Sequence, residues 1–124
     1  GQVCDITSID ILSKKLLPPD IIKIDVQGFE KFVLAGAKDI IGKKRPYLIF
    51  EYAPLHEQTG SPTMNAILTA LEKIGYEFFI FRHHAGLAME KVSANILIEV
   101  DQFWKKEKWK GYFDIFAAPR RSGT

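Results

Sequence analysis

Two apolar segments of the chain each end in a carboxylate. Residues 21–26 read IIKIDV and contain Asp25, and residues 46–52 read PYLIFEY and contain Glu51. A segment with helical spacing separates them, so the sequence predicts a strand–helix–strand unit with both carboxylates at the carboxyl ends of its strands. Ligands of open α/β sheets bind at those ends. A carboxylate placed there can position a hydroxyl group or remove its proton.

Three residues of this unit are candidates for catalysis. Asp25 is the first candidate for positioning or deprotonating an acceptor, and Glu51 is the second. Asp25 can instead cap the next helix through amides near Gly28, and Glu51 can instead be a surface residue paired with Lys23. Lys23 is the third candidate, because it lies on the same strand face as Asp25 and can neutralise it. The alternative is a lysine at the edge of the core with its ammonium in water.

Glu30 and His56 are candidates for binding an acceptor. Glu30 stands in the first turn of the predicted helix, where an acid also stabilises the helix dipole. His56 follows Glu51 in a predicted loop near the same strand ends, where it can equally be a solvated loop residue. His83 and His84 are adjacent, and this histidine spacing fits no standard metal site, so the sequence predicts no metal.

The residue pattern predicts five strands with helices between them. Helices are expected after a capping Thr7, over residues 29–41 with Gly42 as the end, and from a capping Ser61 to Gly75. Strands are expected at residues 21–26, 46–52, 76–82, 94–100 and 112–118. An exposed loop is expected at residues 83–93, and a charged helical segment at residues 101–110. This order predicts an α/β fold with a mostly parallel sheet and an antiparallel edge.

Composition favours one globular domain or part of one. The chain has 124 residues, of which 47% are hydrophobic and 26% are charged, with a net charge of +2. That charge is too small to imply nucleic acid or a membrane surface as a partner, and no apolar run approaches the ~20 residues of a membrane span. The single cysteine, Cys4, excludes an intramolecular disulfide and fits a reducing compartment, so we expect a cytoplasmic location.

Several segments together resemble the FkbM-type family of S-adenosylmethionine-dependent methyltransferases. They are IKIDVQGFE at residues 22–30, VLAGA at 33–37, RPYLIFE at 45–51, the segment from Thr7 to Leu12, and YFDIFAAP at 112–119. Gln27 stands where the family usually has Glu, and residues 83–110 match the family poorly.

The resemblance implies a Rossmann-like methyltransferase sheet and methyl transfer to a hydroxyl of a small-molecule or glycan acceptor. Family members begin with a strand, a Gly-rich turn and an acidic residue after the next strand, and these parts hold S-adenosylmethionine. This chain offers only the solitary Gly28 in a comparable turn. Residues 1–124 are therefore expected to be the carboxyl-terminal half of one domain, with the fourth through seventh strands. Without the amino-terminal cofactor-binding half, the isolated chain is expected not to bind the cofactor.

A non-catalytic alternative follows from the same comparison. The strand at residues 21–26 would lie centrally in a complete methyltransferase sheet, and here it becomes a hydrophobic edge. Such edges pair with other strands unless they are blocked. The chain can therefore be an α/β interaction module that forms a homodimer through this edge, unless residues 3–11 shield it. A weaker alternative is nucleic-acid binding by residues 104–110, WKKEKWK, whose aromatics more often pack against the protein.

Overall fold

Five strands form one sheet in this computed structural model, which describes residues 7–26, 28–53, 58–82, 88–108 and 112–120. The strands are β1 (Ile21–Ile24), β2 (Tyr47–Tyr52), β3 (Tyr76–Arg82), β4 (Ala88–Val92) and β5 (Phe113–Pro119). The helices are α1 (Ile9–Ser13), α2 (Glu30–Ala35), α3 (Lys38–Lys44), α4 (Met64–Lys73) and α5 (Ala94–Glu107). No helix in these ranges is long and apolar enough to cross a membrane.

The strand order in the sheet is β1-β2-β5-β3-β4. Among the described strands, the β1–β2 pairing is parallel and the other three pairings are antiparallel. Because β2 and β3 both run opposite to β5, the strands β1, β2 and β3 point in the same direction. The predicted α/β class is confirmed. The prediction that most strand pairings are parallel is wrong, because β5 lies between β2 and β3 and pairs antiparallel with both.

One face of the sheet is buried beneath helices and the other is partly exposed. The buried face is formed by alternate residues of each strand: Ile22, Ile24, Leu48, Phe50, Tyr52, Tyr76, Phe78, Val92, Ile115 and Ala117. On the partly exposed face, Tyr47 stacks on Phe116 with ring centroids 5.7 Å apart, and Phe79 lies 6.1 Å from Phe116. This period of two is typical of a sheet packed on one side.

The single helix predicted over residues 29–41 is two helices, α2 and α3, which are separated after Gly36. The Asp10 backbone N–H donates to the Gly36 carbonyl at 2.9 Å. The Asp10 carboxylate accepts hydrogen bonds from the N–H groups of Asp39 and Ile40, at 3.0 and 2.9 Å. Asp10 therefore caps α3 from α1, a long-range contact that helical spacing does not reveal.

Two helix starts differ from the prediction by one or two residues. Ser8, rather than Thr7, caps α1 by accepting a hydrogen bond from an amide of the first turn at 3.2 Å. Thr63, rather than Ser61, caps α4 in the same way at 3.1 Å. The Ser61–Pro62 peptide bond is cis and precedes this cap.

Residues 94–100 form the first half of α5 rather than the predicted strand. The helix begins after Ser93, whose side chain caps it. Its buried residues are Ala94, Leu97 and Asp101. This helical spacing is hidden in the sequence because three of the intervening residues, Ile96, Ile98 and Val100, are also apolar. The residues before Ser93, predicted to be a loop, include β4, which forms a hairpin with β3.

Arg45 ties the amino ends of β2 and β3 together. It ends α3 in the left-handed region with φ 52°, where the sequence predicted an end at Gly42. Its guanidinium donates to the Ile74 carbonyl at 2.6 Å and lies 5.4 Å from the centre of the Tyr76 ring. Gly75 has φ 97°, and a Cβ there would stand 3.0 Å from the Arg45 Nη2. Glycine is therefore favoured at this turn by its left-handed conformation, and a side chain there would also require the Arg45 guanidinium to shift.

Tyr76 makes the stability of this junction depend on alkaline pH. Its hydroxyl donates to the Pro46 carbonyl at 2.6 Å, and its ring is buried. Burial raises the pKa of Tyr76 to about 12, although the Arg45 charge lowers it. Because the unfolded pKa is about 10, the folded chain holds this proton more tightly. The contribution to stability is therefore complete below about pH 10 and is lost as the pH rises through about 12.

We predict that Tyr76→Phe removes this alkaline loss. Wild-type protein should lose about 2–3 kcal/mol of unfolding free energy from this group between pH 10 and 12, and the variant should lose correspondingly less. Urea denaturation at each pH measures the difference. Tyr112→Phe is the control, because Tyr112 is exposed. An equally steep loss of unfolding free energy in Tyr76→Phe would show that the Tyr76 hydroxyl is not the group responsible.

Candidate functional site

The carboxyl ends of β1 and β2 meet at one edge of the sheet, here called the carboxyl rim. Ile24 pairs with Phe50 in the parallel ladder, so Asp25 and Glu51 follow at neighbouring positions. Asp25 is exposed. Glu51 alternates with the buried Phe50 and Tyr52, and it therefore lies on the partly exposed face of the sheet. The fold thus brings the two predicted carboxylates to the same rim.

A third carboxylate joins these two from β5. Asp114 stands directly opposite Glu51 in the antiparallel ladder, and sequence reasoning missed it because it lies far along the chain. Lys23 is exposed in β1, and Asp25 is exposed just beyond the end of that strand. Within the described residues, the Lys23 and Asp25 side chains form no ion pair with each other. No group of three or more His, Cys, Asp or Glu side chains in the described ranges could hold a metal ion.

Glu30 is buried and binds the turn that precedes its own helix. Its Oε2 accepts a hydrogen bond from the Gly28 N–H at 2.7 Å, and Gly28 has φ 94°. The Gly28 carbonyl accepts a hydrogen bond from the Gln58 N–H at 3.1 Å. The alternative in which Asp25 caps α2 is wrong, because α2 starts after Phe29 without a side-chain cap. Acceptor binding by Glu30 stays a prediction.

A polar pocket of about 340 Å³ lies beside this turn, on the side of the sheet covered by helices. We call it the lysine pocket, and the residues lining it are Lys31, Gln58, Thr59, Gly60, Thr63, Asn65 and Lys105. Lys31 follows Glu30 in α2 and is only 2% exposed. Its Nζ donates to the Gly60 carbonyl at 2.7 Å, which holds the loop before α4 against α2. The pocket therefore lies next to the carboxyl end of β1.

Tyr52, Asp101 and Lys105 connect the carboxyl end of β2 to this pocket. The Tyr52 hydroxyl donates to the Asp101 carboxylate, and both side chains are buried. The Lys105 Nζ lies 3.2 Å from the same Asp101 oxygen, one helical turn further along α5. The ion pair therefore holds Lys105 at the wall of the lysine pocket.

A second cavity, of about 500 Å³, lies between α4 and the pair α2–α3, and it has a different chemical character. Its wall is almost entirely aliphatic, with Ile41, Ile67 and Leu71 among the lining residues and Lys38 as the charged one. Such a surface offers few groups that could orient or deprotonate a hydroxyl. The carboxyl rim and the lysine pocket are the better candidates for chemistry.

Sequence reasoning missed the lysine pocket for identifiable reasons. Asp101 occupies a position of the buried stripe of α5, but the sequence pattern predicts a strand over residues 94–100 and hides that stripe. Lys31 lies between Glu30 and Phe32 in the sequence, and nothing in this local pattern indicates that its side chain is buried. His56, His83 and His84 lie outside the described residues.

We predict that Tyr52→Phe destabilises the fold. The variant leaves the buried Asp101 carboxylate without one of its donors. Loss of a hydrogen bond to a charged group should lower the free energy of unfolding by about 2 kcal/mol. Guanidinium denaturation at neutral pH provides the measurement, with the exposed Tyr112→Phe as the matched control. An unchanged denaturation midpoint for Tyr52→Phe would show that the contact contributes nothing to stability.

Comparison with known protein families places part of the chain in a methyltransferase family. The FkbM methyltransferase domain matches residues 4–78, a stretch that contains Asp25, Glu51, Glu30, Lys31 and the whole of α4. The matched range ends in β3, so the resemblance of YFDIFAAP to the family's last strand lies outside it. A search of curated proteins gave no match. Since the matched range spans more than half of the sequence, the chain belongs to the FkbM methyltransferase family.

Proposed function

We propose that this chain forms the acceptor-binding half of an S-adenosylmethionine-dependent O-methyltransferase. Its acceptor would be a hydroxyl group of a small molecule or a glycan. The observation that carries the proposal is the position of Asp25 and Glu51 at the carboxyl rim of a parallel strand pair in an FkbM family chain. Ligands bind at this position in open α/β sheets.

The described residues do not fit the cofactor itself. Gly28 forms the turn after β1, but its N–H is bound by the Glu30 carboxylate and its carbonyl by the Gln58 N–H. A carboxylate at this amide also disfavours the carboxylate of a methionine moiety. We therefore propose that the isolated chain does not bind S-adenosylmethionine, which the family uses as its methyl donor.

The residues of the carboxyl rim would act on the acceptor. A methyl transfer requires the acceptor oxygen to be held in line with the methyl group, and positioning supplies much of the rate. Asp25 would accept the proton of the acceptor hydroxyl, because it is exposed at the end of β1. Glu51 would orient the same group from β2, and Lys23 would tune the charge of Asp25. Glu30 and His56 would contribute to acceptor binding.

The location and partners of the protein are also part of this proposal. The single cysteine, Cys4, favours a reducing compartment, and we propose the cytoplasm. The net charge of +2 favours a small acceptor over nucleic acid or a membrane surface.

We predict two results that together test this function. Calorimetric titration of the chain with S-adenosylhomocysteine should give no saturable heat. A fusion carrying the cofactor-binding half of another FkbM family member before residue 1 should transfer methyl groups from labelled S-adenosylmethionine to hydroxylated acceptors. In that fusion, Asp25→Asn should lower kcat by roughly 10²- to 10⁴-fold, and Glu51→Gln should raise KM.

The exposed Asp20→Asn is the matched control, since Asp20 precedes β1 at its other end. One-to-one binding of S-adenosylhomocysteine by the chain alone would overturn the half-domain proposal. Full activity of the Asp25→Asn fusion would remove Asp25 from the reaction. A fusion that binds cofactor yet methylates no hydroxyl in a broad panel would contradict O-methylation.

The second candidate is a non-catalytic module that forms a homodimer through β1, and the position of this strand favours it. β1 is an edge of the described sheet, and Ile21 is 60% exposed. Unpaired N–H and C=O groups on such an edge can pair with a second copy.

We predict that Ile21→Lys weakens self-association through this edge. A lysine on an exposed edge disfavours strand pairing, so sedimentation equilibrium should show a smaller dimer fraction than for wild type at the same concentration. Ile11→Lys is the control, because Ile11 is similarly exposed on α1. A wild-type chain that is monomeric at every concentration would exclude the edge dimer.

A further inference from the structure

We propose that the lysine pocket binds the anionic, hydroxyl-bearing part of the methyl acceptor, such as a sugar acid or a sugar phosphate. This inference rests on the proposed function and narrows its acceptor class. The lysine pocket is separate from Glu51 and Asp114, because these carboxylates belong to the partly exposed face of the sheet and the pocket lies on the side covered by helices.

The charge of the pocket wall indicates an oxyanion. Two ammonium groups, those of Lys31 and Lys105, line a volume of about 340 Å³. Lys105 is paired with Asp101, which lies behind the wall, and no described residue of the lining itself is acidic. Thr63 caps α4 from the same wall, so the positive end of that ten-residue helix also faces this region. Phosphate and carboxylate groups are the ligands that such an arrangement of cations favours.

The positions of both lysines are fixed by the fold rather than by a ligand. Lys31 is 2% exposed and donates to the Gly60 carbonyl. Lys105 is held 3.2 Å from Asp101, which Tyr52 also binds. Ammonium groups that are already ordered lose little conformational freedom when an anion binds, which favours affinity.

An unpartnered oxygen in the same wall indicates a hydroxyl on the ligand. The Asn65 Oδ1 is buried and has no hydrogen-bond partner in the described part of the chain. A buried acceptor without a donor costs free energy. The oxygen has almost no accessible surface, so a ligand hydroxyl would supply that donor after the Asn65 side chain turns toward the pocket. The ligand thus needs an oxyanion for the lysines and a neighbouring hydroxyl for Asn65.

The size and location of the pocket agree with an acceptor subsite. A volume of about 340 Å³ is at the lower end of the range for small-molecule sites. Gln58 lines the pocket and also bonds the Gly28 turn, so the site is close to the carboxyl end of β1. A sugar ring anchored here by its anionic group could present another hydroxyl toward the carboxyl rim.

The test measures binding by the 124-residue chain without any cofactor. The chain is titrated at constant ionic strength with glucose 6-phosphate, glucuronate, inorganic phosphate and glucose, and amide chemical shifts are followed by NMR. We expect saturable shifts near Gly60 and Thr63 with at least one anionic sugar, and binding at least tenfold weaker for neutral glucose. Tighter binding of glucose 6-phosphate would identify the oxyanion as a phosphate, and tighter binding of glucuronate would identify it as a carboxylate.

Variants separate this pocket from general attraction to lysines. Lys105→Met should weaken binding of the anionic sugar at least tenfold, whereas Lys106→Met, its exposed neighbour on α5, should leave it unchanged. Asn65→Ala should reduce the preference for the sugar phosphate over inorganic phosphate, with the exposed Asn95→Ala as its control. Circular dichroism verifies that each variant is folded. If Lys105→Met does not fold, Thr59→Lys tests the pocket instead, because a third cation in the wall should tighten binding of the anionic sugar.

Absence of saturable binding by every probe would overturn the inference, as would equal binding of glucose and glucose 6-phosphate. Equal weakening by Lys105→Met and Lys106→Met would also overturn it. None of these results depends on methyl transfer. A chain that binds anionic sugars while its fusion fails to methylate them would therefore contradict the proposed function and leave the pocket assignment intact.

Discussion

The pairing of β5 with both β2 and β3 is the interaction on which the rest of the sheet depends. The unit β1–α2–α3–β2 and the hairpin β3–β4 share no ladder with each other, and β5 joins them by hydrogen bonds on both of its sides. Its residues Ile115 and Ala117 are completely buried, so this strand also supplies the middle of the core. Because β5 is the last of the described strands, it completes the sheet by contacts of long sequence separation, and contacts of this kind slow folding.

The direction imposed by β5 also decides which side chains can meet. Running opposite to β2, it places Asp114 beside Glu51 at the carboxyl rim, whereas a parallel strand would have brought its own carboxyl end there. The alternation of β2 then separates two chemical environments. Glu51 lies on the partly exposed face with Asp114, and Tyr52, one residue later, reaches Asp101 beneath the helices. One strand therefore contributes to both the acidic rim and the lysine pocket.

The parts of the fold that depend on local signals were predictable from the sequence. The strand ends at Asp25 and Glu51, the left-handed turns at Gly28 and Gly75, and the position of β3 follow from short-range patterns. The predictions that were wrong concern parts of the fold that depend on contacts between distant segments of the chain. The break between α2 and α3 requires Asp10, and the register of β5 requires the whole sheet. The apolar residues of the segment 94–100 are compatible with the period of a strand or of a helix, and in the structure Ser93 caps the segment as a helix that packs against α4.

The buried charges of the described chain are concentrated around one place, and that distribution has a physical meaning. Glu30, Lys31 and Asp101 are the charged side chains that the structure buries, and they border the Gly28 turn or the lysine pocket. Each must give up its hydration, and aliphatic residues of similar size commonly serve stability as well or better. Glu30 and Lys31 are adjacent in the sequence, and α5 brings Asp101 to the same region near the carboxyl ends of β1 and β2. The same charges fix the Gly28 turn and hold Lys105 in place, so they prepare a rigid polar surface where a parallel sheet binds its ligands.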